Sequence, residues 1–126
     1  MARESLLTQV EYNSAATTDA FGRGDYNYVL ENAMPHAIAG NPDAQCMVSL
    51  LYQCGLGVKR DLTEAERWLL KATEQDSAVA WNNLGSLYAV GDPSLSHAKG
   101  KARACYLKAK ELGFKAAEPY PPPVCE

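Results

Sequence analysis

The stretch AQCMVSLLYQCG, which begins at Ala44, returns 36 residues later as AWNNLGSLYAVG, which begins at Ala80. Ala44 pairs with Ala80, Val48 with Leu84, Ser49 with Gly85, Leu51 with Leu87, Tyr52 with Tyr88 and Gly55 with Gly91. A second pair of segments, AERWLLKA from Ala65 and ARACYLKA from Ala102, matches at a spacing of 37. The extra residue falls in a loop, where an insertion costs little. Such a period constrains the fold more than any single motif, because a unit this short cannot bury its apolar face alone and must stack on its neighbours.

Apolar and small residues recur at three and four within each half-repeat, the spacing of one helix face. Each unit is therefore two helices joined by a turn, and the expected helices run over 3–22, 25–39, 43–54, 62–75, 77–90 and 97–112. Asn41-Pro42-Asp43 is a helix start, with Asn as cap and Pro in the first turn. The segment GLGVKR that follows Cys54 could be mistaken for a phosphate cradle. A cradle needs its glycines between a strand and a helix start, and the residues before this one are helical. Gly55 instead ends a helix in the left-handed conformation, Gly57 permits the reversal and Val58 plugs the core. Asp61 and Thr63 each stand three residues before a glutamate, so either suits a capping box for the next helix.

The residues Ala44, Tyr52, Gly55, Gly57, Val58, Asp61, Ala65, Trp68, Lys71 and Ala72, followed by Ala80, Leu84, Gly85, Leu87 and Tyr88, resemble the Sel-like repeat, a relative of the tetratricopeptide repeat. The resemblance spans Ala44 to Gly113. Upstream, Gly24-Asp25-Tyr26 serves as the hairpin turn of a divergent first unit that lacks the Leu-Gly pair. The expected fold is all-α, a right-handed α/α solenoid of three helical hairpins. A single repeat domain over 1–113 divides into units 1–40, 41–76 and 77–113, and 114–126 is an incomplete repeat with a proline-rich tail.

Composition removes several function classes. The chain has 126 residues and a net charge of −3, with its 12 Lys and Arg dispersed, so no basic footprint for nucleic acid is visible. Apolar runs fall well short of the roughly 20 residues that span a bilayer. Glu4, Thr8, Gln9 and Glu11 interrupt any signal-peptide core, and the expected location is cytoplasmic. Cys46, Cys54, Cys105 and Cys125 contain no CxxC pair. Cys46 and Cys54 lie about 12 Å apart along one helix at ~1.5 Å per residue, too far to bridge. Reduced, packed thiols are the expectation.

No catalytic constellation stands out. A Cys or Ser nucleophile needs a His beside it, and the two histidines are His36, at a helix-packing position, and His97, after a loop. Neither they nor the cysteines show zinc-ligand spacing, and no cofactor or metal is expected. Trp68, Trp81, Tyr52 and Tyr88 fall on repeat positions and read as core, with the two phenols bonded between neighbouring helices. PYPPPV in the tail and the near-terminal Cys125 complete the candidates.

The surface left for function is the concave one, which in stacked hairpins is lined by the first helix of each pair. Analogy with the tetratricopeptide pattern turns inward Ser14, Thr18 and Phe21, then Cys46, Leu50 and Gln53, then Asn82, Ser86 and Ala89. Such a groove is neutral, with apolar spots at Phe21 and Leu50, and suits an extended peptide or partner helix. Similar Sel-like repeat proteins act as adaptors in signalling, secretion-linked processes and bacterial complexes, so the resemblance implies a non-enzymatic protein-interaction module. A small cytosolic inhibitor, such as an immunity protein that blocks a toxin or effector, is the alternative; a hydrolase using a Cys/His pair is a distant third. An uncapped C-terminal end offers a route to a homo-oligomer.

Overall fold

A computed structural model describes residues 11–90, 92, 94–95 and 98–115, with backbone alone at 98–100. Six helices follow in order: α1 (Ser14–Gly22), α2 (Tyr26–Ile38), α3 (Pro42–Cys54), α4 (Leu62–Thr73), α5 (Ala78–Ala89) and α6 (Ala98–Glu111). The described residues contain no strand. Each helix packs on the next in the chain, and α3 also packs on α5. That pattern, antiparallel hairpins with contacts between successive first helices, is an all-α repeat solenoid. Residues 3–10 of the expected first helix, Pro93, His97, the proline tail and Cys125 lie outside the described residues.

Local chemistry accounts for the helix limits. Asn13, Asn41, Asp61 and Ser77 each turn a side-chain oxygen onto the backbone N–H three residues on, at 2.9, 3.0, 3.0 and 3.1 Å. Such caps satisfy donors that have no partner within the helix and contribute about 1 kcal/mol each. Of the two candidates before α4, Asp61 is the cap. The capping box is only half formed, because the Glu64 carboxylate takes the Arg67 guanidinium instead.

The GLGVKR segment is a turn. Gly55 closes α3 at φ 66° and ψ 42°, and the Leu56 N–H returns to the Leu51 carbonyl at 2.9 Å. Gly57 has φ +74°, and an added Cβ would meet the Cβ of Tyr26 at 3.1 Å. Val58 packs half-buried against the cluster of Ala20, Val29 and Leu51. Arg60 donates from Nε to the Gln53 carbonyl at 3.2 Å, so this cation finishes a helix end.

Packing follows the repeat. Ala65, Leu69, Ala72, Ala80, Leu84, Leu87 and Cys105 form the largest cluster, joining α4, α5 and α6. Trp68 packs with Ala33, Ala37, Ala44 and Val48 in a second cluster that ties α2 to α3 and α4. Leu51, Leu69 and Leu87 are fully buried, each worth about 1.5–3 kcal/mol relative to exposure. Trp68 is core, as expected, and Trp81 packs half-buried against the largest cluster. Tyr88 donates to the Glu66 carboxylate at 2.7 Å across α5 and α4. Burial first, then that bond, hold its phenol above the usual range. Among the described residues Tyr52 makes no matching bond, so the expected pair of bridging phenols reduces to one.

Candidate functional site

The three first helices converge on one cleft. Tyr12, Ser14 and Thr18 line it from α1 and the residues before it, Asp43, Cys46, Met47 and Leu50 from α3, and Val79 and Asn83 from α5; its volume is about 330 Å³. α1 is held along its length, with Tyr12 just before it on the cluster of Ala33, Ala44 and Val48, Thr17 buried and Ala20 meeting Val29 and Leu51, and the hollow lies beside its exposed Ser14 and Thr18. A shallower depression on α1 shares Ser14 and Thr18 with the cleft, so the hollow continues across that helix.

Of the residues expected on the concave face, Ser14, Thr18, Cys46 and Leu50 meet in this cleft. Phe21 is half-buried and packs edge-on against Tyr26 with ring centroids 5.4 Å apart. Gln53 is buried, and Ala89 is exposed but away from the cleft. Asn82 and Ser86 have no exposed surface, which corrects their assignment as partner contacts. The cause is the way α6 sits on α5. Gly85 leaves room for the Tyr106 ring, and the Tyr106 hydroxyl donates to Ser86 Oγ at 3.4 Å, so this side of α5 faces its hairpin partner. Neither amide atom of Asn82 finds a hydrogen bond among the described residues.

Five cleft residues went unanticipated: Tyr12, Asp43, Met47, Val79 and Asn83. Asp43 and Val79 are 36 apart, as are Met47 and Asn83, so the repeat itself could have identified them once the inward register was known. Tyr12 stacks at a tilt on His36, centroids 5.5 Å apart, and shares a 2.7 Å hydrogen bond with Thr17 Oγ1. Its phenol is raised by burial, with the charges of Asp43 and Cys46 adding.

The cleft is poorly suited to nucleophilic chemistry. Burial pushes the Cys46 thiol up to about 12, against a hydrogen bond with Ser77 that lowers it and the Asp43 charge that raises it further. At neutral pH it is a protonated thiol, and the thiolate is the nucleophilic form. Cys105 is likewise raised by burial, with Lys101 opposing. Among the described residues no three His, Cys, Asp or Glu side chains gather as a metal site. Cys46 and Cys105 are free, but Cys54 is disulfide-bonded, which corrects the expectation of four reduced thiols. None of the described helices is long and apolar enough to cross a membrane.

Known proteins place this architecture. The chain is 35% identical over 83 residues to the ERAD-associated E3 ubiquitin-protein ligase component HRD3A of Arabidopsis thaliana, covering 64% of this chain and 12% of that one. It thus spans about an eighth of that relative's length. The crystal structure of a Sel1 repeat protein from Oxalobacter formigenes superposes with a TM-score of 0.71 at 32% identity, over 86% of this chain and 43% of the other. The family model of the Sel1 repeat matches residues 42–77 and 78–114, the two units that the internal period had marked. With more than half its length in those matched repeats, the chain belongs to the Sel1 repeat family, whose members are generally protein-interaction scaffolds.

Proposed function

We propose that this chain is a non-catalytic docking module that holds a segment of a partner protein in the cleft between α1, α3 and α5. The observation that carries the reading is the convergence of all three first helices on one hollow with an apolar floor of Met47, Leu50 and Val79. Val79 is 43% exposed, and an apolar side chain left open beside two others favours a covering partner. Hydroxyls of Ser14 and Thr18 and the amide of Asn83 supply donors and acceptors for a peptide backbone. The raised cysteine thiols support a scaffold over a hydrolase.

Photo-crosslinking tests the site. A photoreactive residue at Leu50 or Val79 is expected to capture a defined segment of one partner protein in the native host, whereas the same residue at Arg103, exposed on α6, captures none. Crosslinks arising only from α6 would move docking to the opposite face and overturn the reading.

A further inference from the structure

The chemistry of the cleft wall narrows the partner. Among the described residues Asp43 is the one charged side chain that lines it. It is exposed and makes no ion pair among the described residues, whose pairs are Arg23 with Asp19, Arg67 with Glu64 and Lys108 with Glu111. No Lys or Arg among the described residues lines the cleft. Beside the carboxylate lies an apolar surface: Val79 occupies on α5 the place that Asp43 holds on α3, the two helices touch, and Met47 and Leu50 continue the floor.

Ser14, Asp43 and Val79 bring the first turns of three helices to the border of this cleft, and helix starts by themselves would attract an anion. One N–H at each start, that of Ala16, Ala44 or Ala80, is already taken by Asn13, Asn41 or Ser77, and Asp43 stands in the first turn of the middle helix. The field of that carboxylate reaches into the hollow, where it raises both Tyr12 and Cys46. A volume of about 330 Å³ lies at the small end of ligand clefts, with room for one or two side chains of an extended segment and none for a packed helix.

We propose, building on the reading of this cleft as the docking site, that it selects an extended segment of a partner protein carrying a lysine or arginine next to an aliphatic side chain. The aliphatic group fills the Met47–Leu50–Val79 floor and the cation meets Asp43.

The test is fluorescence anisotropy of the full chain with labelled hexapeptides that share a central leucine and differ only in the neighbouring residue: Lys, Arg, Ser or Glu. Peptides with Lys or Arg are expected to bind about fivefold tighter than those with Ser, the scale of one partly screened ion pair. That advantage disappears for Asp43→Asn, survives for Asp43→Glu and inverts toward the Glu peptide for Asp43→Lys. It also fades as ionic strength rises from about 0.01 M to about 1 M, where the screening length shrinks from roughly 30 to 3 Å. Leu50→Glu removes binding of every peptide, with helical content and unfolding midpoint verifying that each variant is folded. Equal affinity for all four peptides, still abolished by Leu50→Glu, overturns the cation preference and leaves the docking site standing. No binding of any peptide by the folded chain overturns both. A concentration-dependent dimer that Leu50→Glu abolishes and that excludes the peptides assigns the cleft to a second copy and overturns the proposal.

Discussion

Helices α3 and α5 carry the same repeat register 36 residues apart and turn Asp43 with Val79 and Met47 with Asn83 onto one cleft, yet their exposure is not the same throughout. At one equivalent place they differ: Leu50 is half-buried along the cleft, whereas Ser86 is completely buried. The neighbouring hairpin partner explains the difference. Ser49 and Leu69 in the second hairpin correspond to Gly85 and Tyr106 in the third. A smaller residue on the first helix is matched by a larger one on the second, and the exchange draws α6 onto the Gly85–Ser86 side. Matching positions in a repeat thus share a backbone, while their exposure depends on what each hairpin packs against them.

The comparison can be broken most forcefully by a charge. Ser86→Glu places an unpaired carboxylate inside the α5–α6 packing and is expected to cost about 3–5 kcal/mol, most of the stability of a small domain. Its register mate Leu50→Glu sits at the half-exposed cleft and should cost under about 1.5 kcal/mol. Urea unfolding midpoints measure both. Similar losses in the two variants would show that α3 and α5 are equally buried and would remove the distinction.

The exchange of size can be sharpened by transplanting one hairpin's residues into the other. An added Cβ at Gly85 would lie 2.8 Å from Tyr106 Cε1 and 3.1 Å from the Ala102 carbonyl oxygen, so Gly85→Ser overpacks the contact, at about 1–3 kcal/mol. Combining it with Tyr106→Leu, which copies the second hairpin, is expected to recover at least half of that loss. A double variant as weak as the sum of its single changes would refute compensation.

Cys46 and Asn82 share a register position, and pH separates them. Folding raises the Cys46 thiol to about 12 from an ordinary value of 9.0. The unfolded chain therefore releases this proton first as pH rises, and the folded state binds more protons than the unfolded one. The stability tied to the buried thiol is whole below pH 9 and declines above it by about 1.4 kcal/mol per unit. Unfolding midpoints taken at rising alkaline pH should fall less steeply in Cys46→Ala. An unchanged slope would mean that the thiol is accessible to water. The smallest effect is expected at a helix start: Asn41→Ala removes the bond to the Ala44 N–H and costs about 1 kcal/mol, and Ser77→Ala on α5 should match it to within a few tenths.

Much of the fold was legible because its signals are local. The left-handed Gly55, the Asn41 and Asp61 caps and the three-and-four spacing of Val48, Leu51 and Tyr52 each act within a few residues along the chain. The cleft was half legible. Cys46 and Leu50 follow from the helix face, but a polar residue such as Asn82 reads as exposed, because burying an amide without partners is costly. The closeness of α6 over Gly85 is a contact between helices, invisible in either helix alone. Asp43 was read as part of a helix start, a role that does not exclude facing a hollow.

By itself the sequence determined that this chain is a stack of helical hairpins, where each helix begins and turns, and which side chains can fill a core, since periodicity, capping and glycine conformation depend on nearest neighbours along the chain. Only the tertiary structure decided which residues of each first helix stay open, that α1, α3 and α5 share one cleft, and that Asp43 and Val79 both line it, because exposure is set by residues that are distant in sequence and are brought together by packing.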